Sequence, residues 1–398
     1  MAFLSVEECV SKLLAKPISL PNVVETDLLL AQNKVLAEDI IAPIDVPPAD
    51  NSAMDGYAIR AIDIETSSTL PISQRIQAGD APTPLKPNTA ARIFTGAELP
   101  ADANAVAMQE NCSANENRVT FVEPVSVGAN IRRRGQDISQ GTTILQKGQR
   151  LRSQELGLLA SIGIQSIKTY RALKIAIVNT GNELVEPGKP LKTGQIYNSN
   201  RFLLNGILTT WGFDVEHSHI VADTLDATKT ALLKASRTND IVITTGGVSV
   251  GEEDHIKPAV AELGEIDIWK VAIKPGKPFA FGRIENTPFI GLPGNPSSVF
   301  ATLLILARHY LHTCQGMDTA DIQTHSHTAI ATFNRKTASR EEYLRAKFSQ
   351  GRVEIYANQS SGVLTSASWG NCFVKQQIGE DIKEGQSVNI IMYTDLFG

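Results

Sequence analysis

Several glycine-, lysine- and serine-rich segments carry residue types suited to holding an anion. The first runs Asp240-Ile-Val-Ile-Thr-Thr-Gly-Gly-Val-Ser-Val-Gly-Glu-Glu-Asp254. A strand-like apolar run delivers a loop with Gly246, Gly247 and Gly251, and glycines let backbone N–H groups approach an anionic group closely. Glu252, Glu253 and Asp254 follow, and acids in a first helical turn also suit the helix dipole, so each has a capping reading too. The second segment is Gly291-Leu-Pro-Gly-Asn-Pro-Ser-Ser298. It leads from a strand into a helix with Pro296 near the first position. There, free N–H groups and the hydroxyls of Ser297 and Ser298 form an anion site, unless the segment is a plain turn with a serine cap. Between these two, Lys270, Lys274 and Lys277 cluster around a Pro-Gly turn. Thr180-Gly-Asn-Glu183 ends another strand, and its carboxylate suits a metal, a sugar hydroxyl, a ring nitrogen or a helix cap.

The first half holds weaker signals. Asp50-Asn-Ser-Ala-Met-Asp55-Gly-Tyr-Ala is a polar cluster after a proline-rich approach, and locally it could be just a hairpin. Ile93-Phe-Thr95-Gly96 and Arg132-Arg-Arg-Gly-Gln-Asp137 are equally ambiguous alone; three adjacent arginines form a solvated face, an interface or an anion site. His217/His219 and His325/His327 are His-x-His pairs without a third ligand, so surface histidines are the simpler reading. Neither GxGxxG nor the Walker pattern occurs, so dinucleotide and ATPase readings lack their fingerprints.

The elements that must position these residues are legible from periodicity. Ser5-Val6-Glu7-Glu8 predicts a capping box opening a helix to about Ala15. Residues 27–39 read as a second helix, stopped by the prolines of 42–50. Strands are expected at 91–95, 104–109 and 118–122, in a small β-rich unit. A helix over 151–163 is expected to pack beside the N-terminal helices, making the β unit an insertion. From 173 onward, strands at 173–178, 240–244, 267–273 and 288–292 alternate with helices at 199–211, 224–237, 254–263 and 296–312. Phe202, Leu203, Ile207 and Trp211 are expected on one side of the first of these. Such alternation predicts a parallel sheet with helices on both faces and ligands beyond its C-terminal edge. After 313 the text is strand-like again and predicts a small β-barrel or sandwich. The domains expected are 1–44 with 136–170, 45–135, 171–312 and 313–398.

The 398 residues are 42% hydrophobic and 20% charged, a globular composition with several cores. The net charge of −5 provides no global basic field for nucleic acid or an anionic membrane. Four dispersed cysteines (Cys9, Cys112, Cys314, Cys372) give neither a disulfide framework nor a zinc pattern, which suits a cytoplasmic location. The N-terminus lacks signal-peptide features, and the longest apolar run, near 299–307, is too short to span a bilayer.

Taken together, DNSAMDGYA (50–58), IFTGAELP (93–100), NIRRRGQDI (130–138), VNTGNEL (178–184), GQIYNSN (194–200), TTGGVSVGEEDHIK (244–257), KVAIKPGKPFAFG (270–282), GLPGNPSS (291–298) and GNCF (370–373) resemble the MoeA-type molybdopterin molybdenumtransferases. The segments keep family order and cover nearly the whole chain. The resemblance implies insertion of molybdenum from molybdate into adenylylated molybdopterin, with release of AMP and formation of molybdenum cofactor. It also implies a four-domain homodimer, a molybdopterin-binding α/β domain, a C-terminal barrel and a divalent cation such as Mg²⁺. Transient partners would be a molybdopterin adenylyltransferase and apo-molybdoenzymes or their chaperones.

Carried over by position, Lys274, Lys277, Ser297, Arg340 and Ser361 resemble the molybdate cradle, with Arg345 as an alternative to Arg340. Gly246, Gly247, Ser249, Asp223, Lys270, Pro293 and Pro296 would bind or shape the pterin site. Glu183, Asp223 and Asp254 resemble the acidic set for pterin or metal. Asp55, Thr95 and Asp137 would reach across the dimer, with Asp55, Asp137 and Glu183 as metal ligands. The family reads Thr-Gly-Asp-Glu where this chain has Asn182, so Glu183 is expected to carry the function. Two other readings stay open: a non-catalytic molybdopterin-binding scaffold of the same fold, and a molybdopterin adenylyltransferase.

Overall fold

The computed structural model of the protein describes residues 3–16, 19–248 and 254–397. Ser249, Gly251, Glu252 and Glu253 therefore lie outside the described residues. The second half is built on a six-stranded sheet. Its spatial order is Asp214–His217, Lys174–Asn179, Ile241–Thr245, Thr287–Leu292, Ala280–Ile284 and Gly264–Trp269. The first four strands are parallel, as the alternation of strands and helices demands. The last two depart from the expected all-parallel sheet. Ala280–Ile284, not foreseen as a strand, folds back on Thr287–Leu292 through a two-residue turn at 285–286, with Glu285 at φ 50. Such a short link permits only antiparallel pairing.

Each central strand is buried on both faces. Ile175 and Ile177 point to one side and Ala176 and Val178 to the other, following the two-residue period of a strand. On the first face sit Val6–Leu14, Ser199–Thr210 and the long helix over 296–314, which passes through a π turn at Leu303–Ala307. On the second sit Leu225–Thr238 and Ile256–Leu263.

The N-terminal helix has the capping box read from sequence: the Glu8 backbone N–H donates to Ser5 Oγ (3.1 Å), and the Ser5 N–H donates to the Glu8 carboxylate (2.8 Å). Its buried face, Val6, Cys9 and Leu13, joins the core with Leu204, Trp211 and Leu311. It thus packs on the α/β layer, whereas the core of Ser153–Ser161 is shared with Leu36 and Ile40. Ser199–Thr210 buries Leu204, Ile207 and Leu208, while Phe202 is 56% exposed, so the apolar face is rotated from the expected one. Trp211 fixes that rotation by donating its indole N–H to the Leu396 carbonyl (3.0 Å).

The expected helix over 27–39 is absent. Val23–Asp27 pairs with Ser166–Tyr170, which also pairs with Val35–Leu36. Between them stands a single 3₁₀ turn, Leu28–Leu30, capped by Asp27. Strand partners supplied from far along the chain outweigh local helical periodicity here.

The inserted unit contains a six-stranded sheet in the order Ala105–Met108, Gly56–Ile59, Ala90–Ile93, Thr69–Ile76, Arg118–Phe121, Cys112–Ala114. Asn51–Ser52 pairs with Ile131–Arg132, so the 50–58 segment is no local hairpin.

The C-terminal region is a closed five-stranded barrel. Glu341–Ser349, Arg352–Ile355, His327–Ala331, Ser387–Met392 and Cys372–Gln376 follow one another around it, and the last pairs back to the first. The two-residue strand Ile273–Lys274, from the α/β unit, adds in parallel to Glu341–Ser349 outside this closure. Ile177, fully buried in the central strand, tests the shared core. Ile177→Ala is expected to lower unfolding free energy by about 3–4 kcal/mol, measured by urea denaturation.

Candidate active site

Register brings the strand ends together. Val178 and Asn179 lie opposite Thr244 and Thr245, which lie opposite Gly291 and Leu292. The loops that follow, at 180–183, 246–247 and 293–295, therefore share one edge of the sheet. A cavity of about 690 Å³ opens there. From the sheet edge it is lined by Glu183, Gly246, Pro293 and Pro296; from the 274–277 turn by Lys274 and Lys277; from the barrel by Arg340 and Ser361. Eight candidates from six separate stretches of chain thus meet at one surface.

Glycine is required at Gly276 in this wall and at Gly247, which follows the lining residue Gly246 but is not itself in the lining. Gly247 adopts φ 65, and a Cβ there would lie 2.5 Å from Ile256 Cγ1. Gly276, at φ 115, would place a Cβ 2.2 Å from Thr302 Cγ2. The Pro-Gly turn that presents Lys274 and Lys277 is thereby seated directly on the helix Pro296–Thr302.

The cavity wall is shared between the α/β unit and the barrel. Arg340 donates from Nη1 to the Ile273 carbonyl (2.8 Å), and Lys274 Nζ lies 3.0 Å from Glu342. Asn295 Nδ2 donates to Ser361 Oγ (2.9 Å), and the Ser297 N–H donates to the Ser361 carbonyl (3.0 Å). Arg345, the alternative to Arg340, is fully buried under this wall. It donates to Ser366 Oγ and to the Ser360 carbonyl (3.0 Å each), bracing the 359–361 loop rather than lining the cavity. Burial pulls its pKa below the usual arginine value.

Several candidates sit differently from expectation. Ser297 is fully buried, with its hydroxyl donated to the Val363 carbonyl (2.7 Å); it ties the helix to the barrel and has no donor left for a ligand, and Ser298 takes its place in the wall. The N–H groups of Ser297 and Ser298 are bonded to Ser361 and Asn295, so the helix start is not an open anion site. Lys270 is a left-handed turn residue (φ 73) outside the lining. Asp223, just before the N-cap Thr224 of the next helix, is outside the lining and exchanges two bonds with Asn182: the Asn182 N–H donates to Asp223 Oδ2 (2.8 Å), and the Asp223 N–H donates to Asn182 Oδ1 (3.2 Å). An asparagine at 182 makes this exchange without setting two carboxylates face to face. Asp254 is half-buried and is not among the lining residues.

Asp55, Thr95 and Asp137 belong to the first half and do not line the cavity within one chain. Asp55 and Thr95 do meet: the Thr95 N–H and hydroxyl both donate to Asp55 Oδ1 (2.8 Å each). These two bonds hold the Asp55 carboxyl below the usual carboxylate range. Asp137 is exposed, its N–H donated to the Val46 carbonyl. Arg133 and Arg134 pair with Asp50 and Asp45 (2.6 Å each) and so brace the junction of the inserted unit.

Hard carboxylate oxygens would suit Mg²⁺. Among the described residues, however, no three His, Cys, Asp or Glu side chains gather to hold a metal ion, so Asp55, Asp137 and Glu183 do not form a metal site within one chain. His217 lies 2.8 Å from Asn205 Oδ1, and His327 pairs with Asp395, so neither His-x-His pair is set for a metal.

Two residues that sequence reasoning missed also matter. Asn200 lines the cavity and donates to the Gly294 carbonyl (2.7 Å). Glu342 stands behind the wall with 1% exposure. The signal for it was available: in Glu341-Glu342-Tyr343-Leu344 it shares its side of the strand with Leu344 and Ala346, and a carboxylate on a core-facing position needs a cation.

A doubly covered α/β sheet with a cation-lined cavity at its C-terminal edge, completed by a small barrel, places the protein in the multidomain molybdopterin-binding fold class. Residues 4–163 match the MoeA N-terminal region (domain I and II), residues 176–313 the "Probable molybdopterin binding domain", and residues 328–393 the MoeA C-terminal region (domain IV). The chain is 40% identical to a molybdopterin molybdenumtransferase of Haemophilus influenzae, over 99% of this chain and 100% of that one. It is 32% identical to a molybdopterin molybdenumtransferase of Nostoc, over 92% and 87%. The fold superposes on the crystal structure of a molybdopterin biosynthesis MoeA protein from Pyrococcus horikoshii with TM-score 0.85, at 28% identity over 98% of this chain and 100% of that one. The chain belongs to the MoeA family of molybdopterin molybdenumtransferases.

Thr95→Val removes one of the two donors that favour ionised Asp55. The Asp55 pKa is expected to rise toward the ordinary value, read by carboxyl carbon NMR titration. No change, or a fall, would contradict the assigned contact.

Proposed function

We propose that this chain inserts molybdenum from molybdate into adenylylated molybdopterin, releasing AMP and forming molybdenum cofactor. The observation that carries the reading is the convergence of Lys274, Lys277 and Arg340 with the Ser361 hydroxyl around one cavity. Three cations and a hydroxyl suit a tetrahedral dianion such as molybdate. The volume leaves room beside it for a larger phosphorylated substrate, whose pterin part the Gly246–Gly247 loop and Glu183 would contact. Lys274 and Lys277 hold the oxyanion and offset the charge gathered when two anionic substrates share a cavity.

Asp55, Thr95 and Asp137 enter the reading through a homodimer, in which one subunit's inserted unit faces the other's cavity. Exposed apolar residues support self-association: Leu29 is 91% and Leu30 72% exposed, with Val23, Val24 and Ile41 also uncovered. Divalent-cation dependence, with Mg²⁺ as the candidate, belongs to the proposal as a requirement to be assayed with a chelator, and no step is routed through it. A cytoplasmic setting accords with the dispersed cysteines, none of them in a disulfide. Among the described residues no helix is long and apolar enough to cross a membrane. An adenylyltransferase supplying the substrate, and apo-molybdoenzymes or their chaperones taking the product, complete the proposed partners. The scaffold reading is less favoured because the cavity keeps its cations. The adenylyltransferase reading is less favoured because the barrel and inserted unit add to the α/β unit.

The test is reconstitution. Purified protein with adenylylated molybdopterin, Mg²⁺ and molybdate is expected to yield cofactor that activates an apo-molybdoenzyme. Lys274→Ala is expected to lower the rate about a hundredfold with an unchanged melting temperature. AMP should appear in step with the cofactor. Failure of the wild type with authentic substrates would sink the proposal.

A further inference from the structure

Glu342 is a buried titratable group that the reading above does not use. Its side chain is 1% exposed, and it does not line the cavity. Its Oε1 is shared by two cations, Lys274 Nζ at 3.0 Å and Arg335 Nη2 at 2.8 Å, and Arg335 Nε reaches Oε2 at 3.3 Å. The two cations are held differently. Arg335 grips both carboxylate oxygens with its fork and does not line the cavity. Lys274 offers a single point charge on a flexible stem; its side chain is 37% exposed and it lines the cavity.

We propose that Glu342 is a positioning residue that acts as an internal counter-ion, holding Lys274 at the wall of the cavity and yielding it to an incoming oxyanion. The inference rests on the reading of this cavity as the oxyanion site. A buried carboxylate stripped of its only cation would be strongly penalised. Glu342 escapes that penalty, because when Lys274 turns into the cavity the bidentate Arg335 contact remains. The exchange therefore costs about one part-exposed ion pair, and the oxyanion must outcompete a carboxylate for Lys274. Weakly charged anions compete poorly, so Glu342 sets the cavity's preference for dianions. It also lowers affinity below what the cationic lining alone would give, which favours handing the metal on.

The experiment is equilibrium binding of radiolabelled molybdate to the full chain, comparing wild type, Glu342→Gln and Arg335→Lys, with thermal melts to confirm folding. Glu342→Gln removes the competitor and is expected to tighten molybdate binding about fivefold, the scale of a part-exposed pair. It is also expected to narrow the preference for molybdate over a monoanion such as nitrate. Arg335→Lys replaces the fork with one ammonium, so Glu342 leans harder on Lys274 and molybdate binding weakens about threefold. A merely structural brace would move both variants toward weaker binding; that result, or unchanged binding in both, overturns the proposal. Should Glu342→Gln not fold, Arg335→Lys decides, and unchanged or tighter binding overturns it. Wild type that binds no molybdate would overturn the cavity's reading and this inference with it.

Discussion

The site depends on a junction in which one wall of a cavity is made by a different folding unit from the other. Ile273–Lys274 leaves the α/β unit and pairs with Glu341–Ser349 of the barrel, and the contacts across the seam are polar and directional. Arg340 reaches the Ile273 carbonyl, Lys274 reaches Glu342, and the Ser297 N–H reaches the Ser361 carbonyl. Each contact both closes the seam and places a side chain at the cavity. Hydrophobic packing supports the same seam, since Tyr343 and Phe373 of the barrel share a core cluster with Phe300 and Leu304 of the α/β helices. A non-directional core holds the two units together, while hydrogen bonds and ion pairs set their register; the charges need the second kind of precision.

An acidic chain can still carry a cation-lined cavity. The net charge is −5, yet Lys274, Lys277 and Arg340 face one cavity. Elsewhere several arginines are neutralised in place: Arg133 and Arg134 by Asp50 and Asp45, and Arg171 by Asp240. Short-range fields dominate in a cleft, and distant charges are screened over about 10 Å, so the net sign says little about the local one.

The sequence made much of this legible. The runs at 173–178, 240–244 and 288–292 declared buried strands, and the loops after them declared the sheet edge where ligands bind. The capping box at Ser5 is local chemistry and reads directly. What stayed hidden depends on partners remote in the chain. Residues 27–39 have helical periodicity, yet strand partners at 166–170 claim them. Ser297 has the right type and place for a ligand donor, but Val363, 66 residues later, takes its hydroxyl. Arg340 and Arg345 lie five residues apart on one segment, and only the barrel's closure decides that one lines the cavity while the other is sealed beneath it. The role of Glu342 stayed hidden because one of its cations, Lys274, lies 68 residues upstream and reaches it only through the added strand Ile273–Lys274.

Anomalous scattering at the molybdenum edge from a crystal soaked in molybdate asks whether the cavity between sheet edge and barrel is the molybdate site. One strong peak is expected within contact of Lys274, Lys277, Arg340 and Ser361. A peak elsewhere on the chain, with this cavity empty, would contradict it.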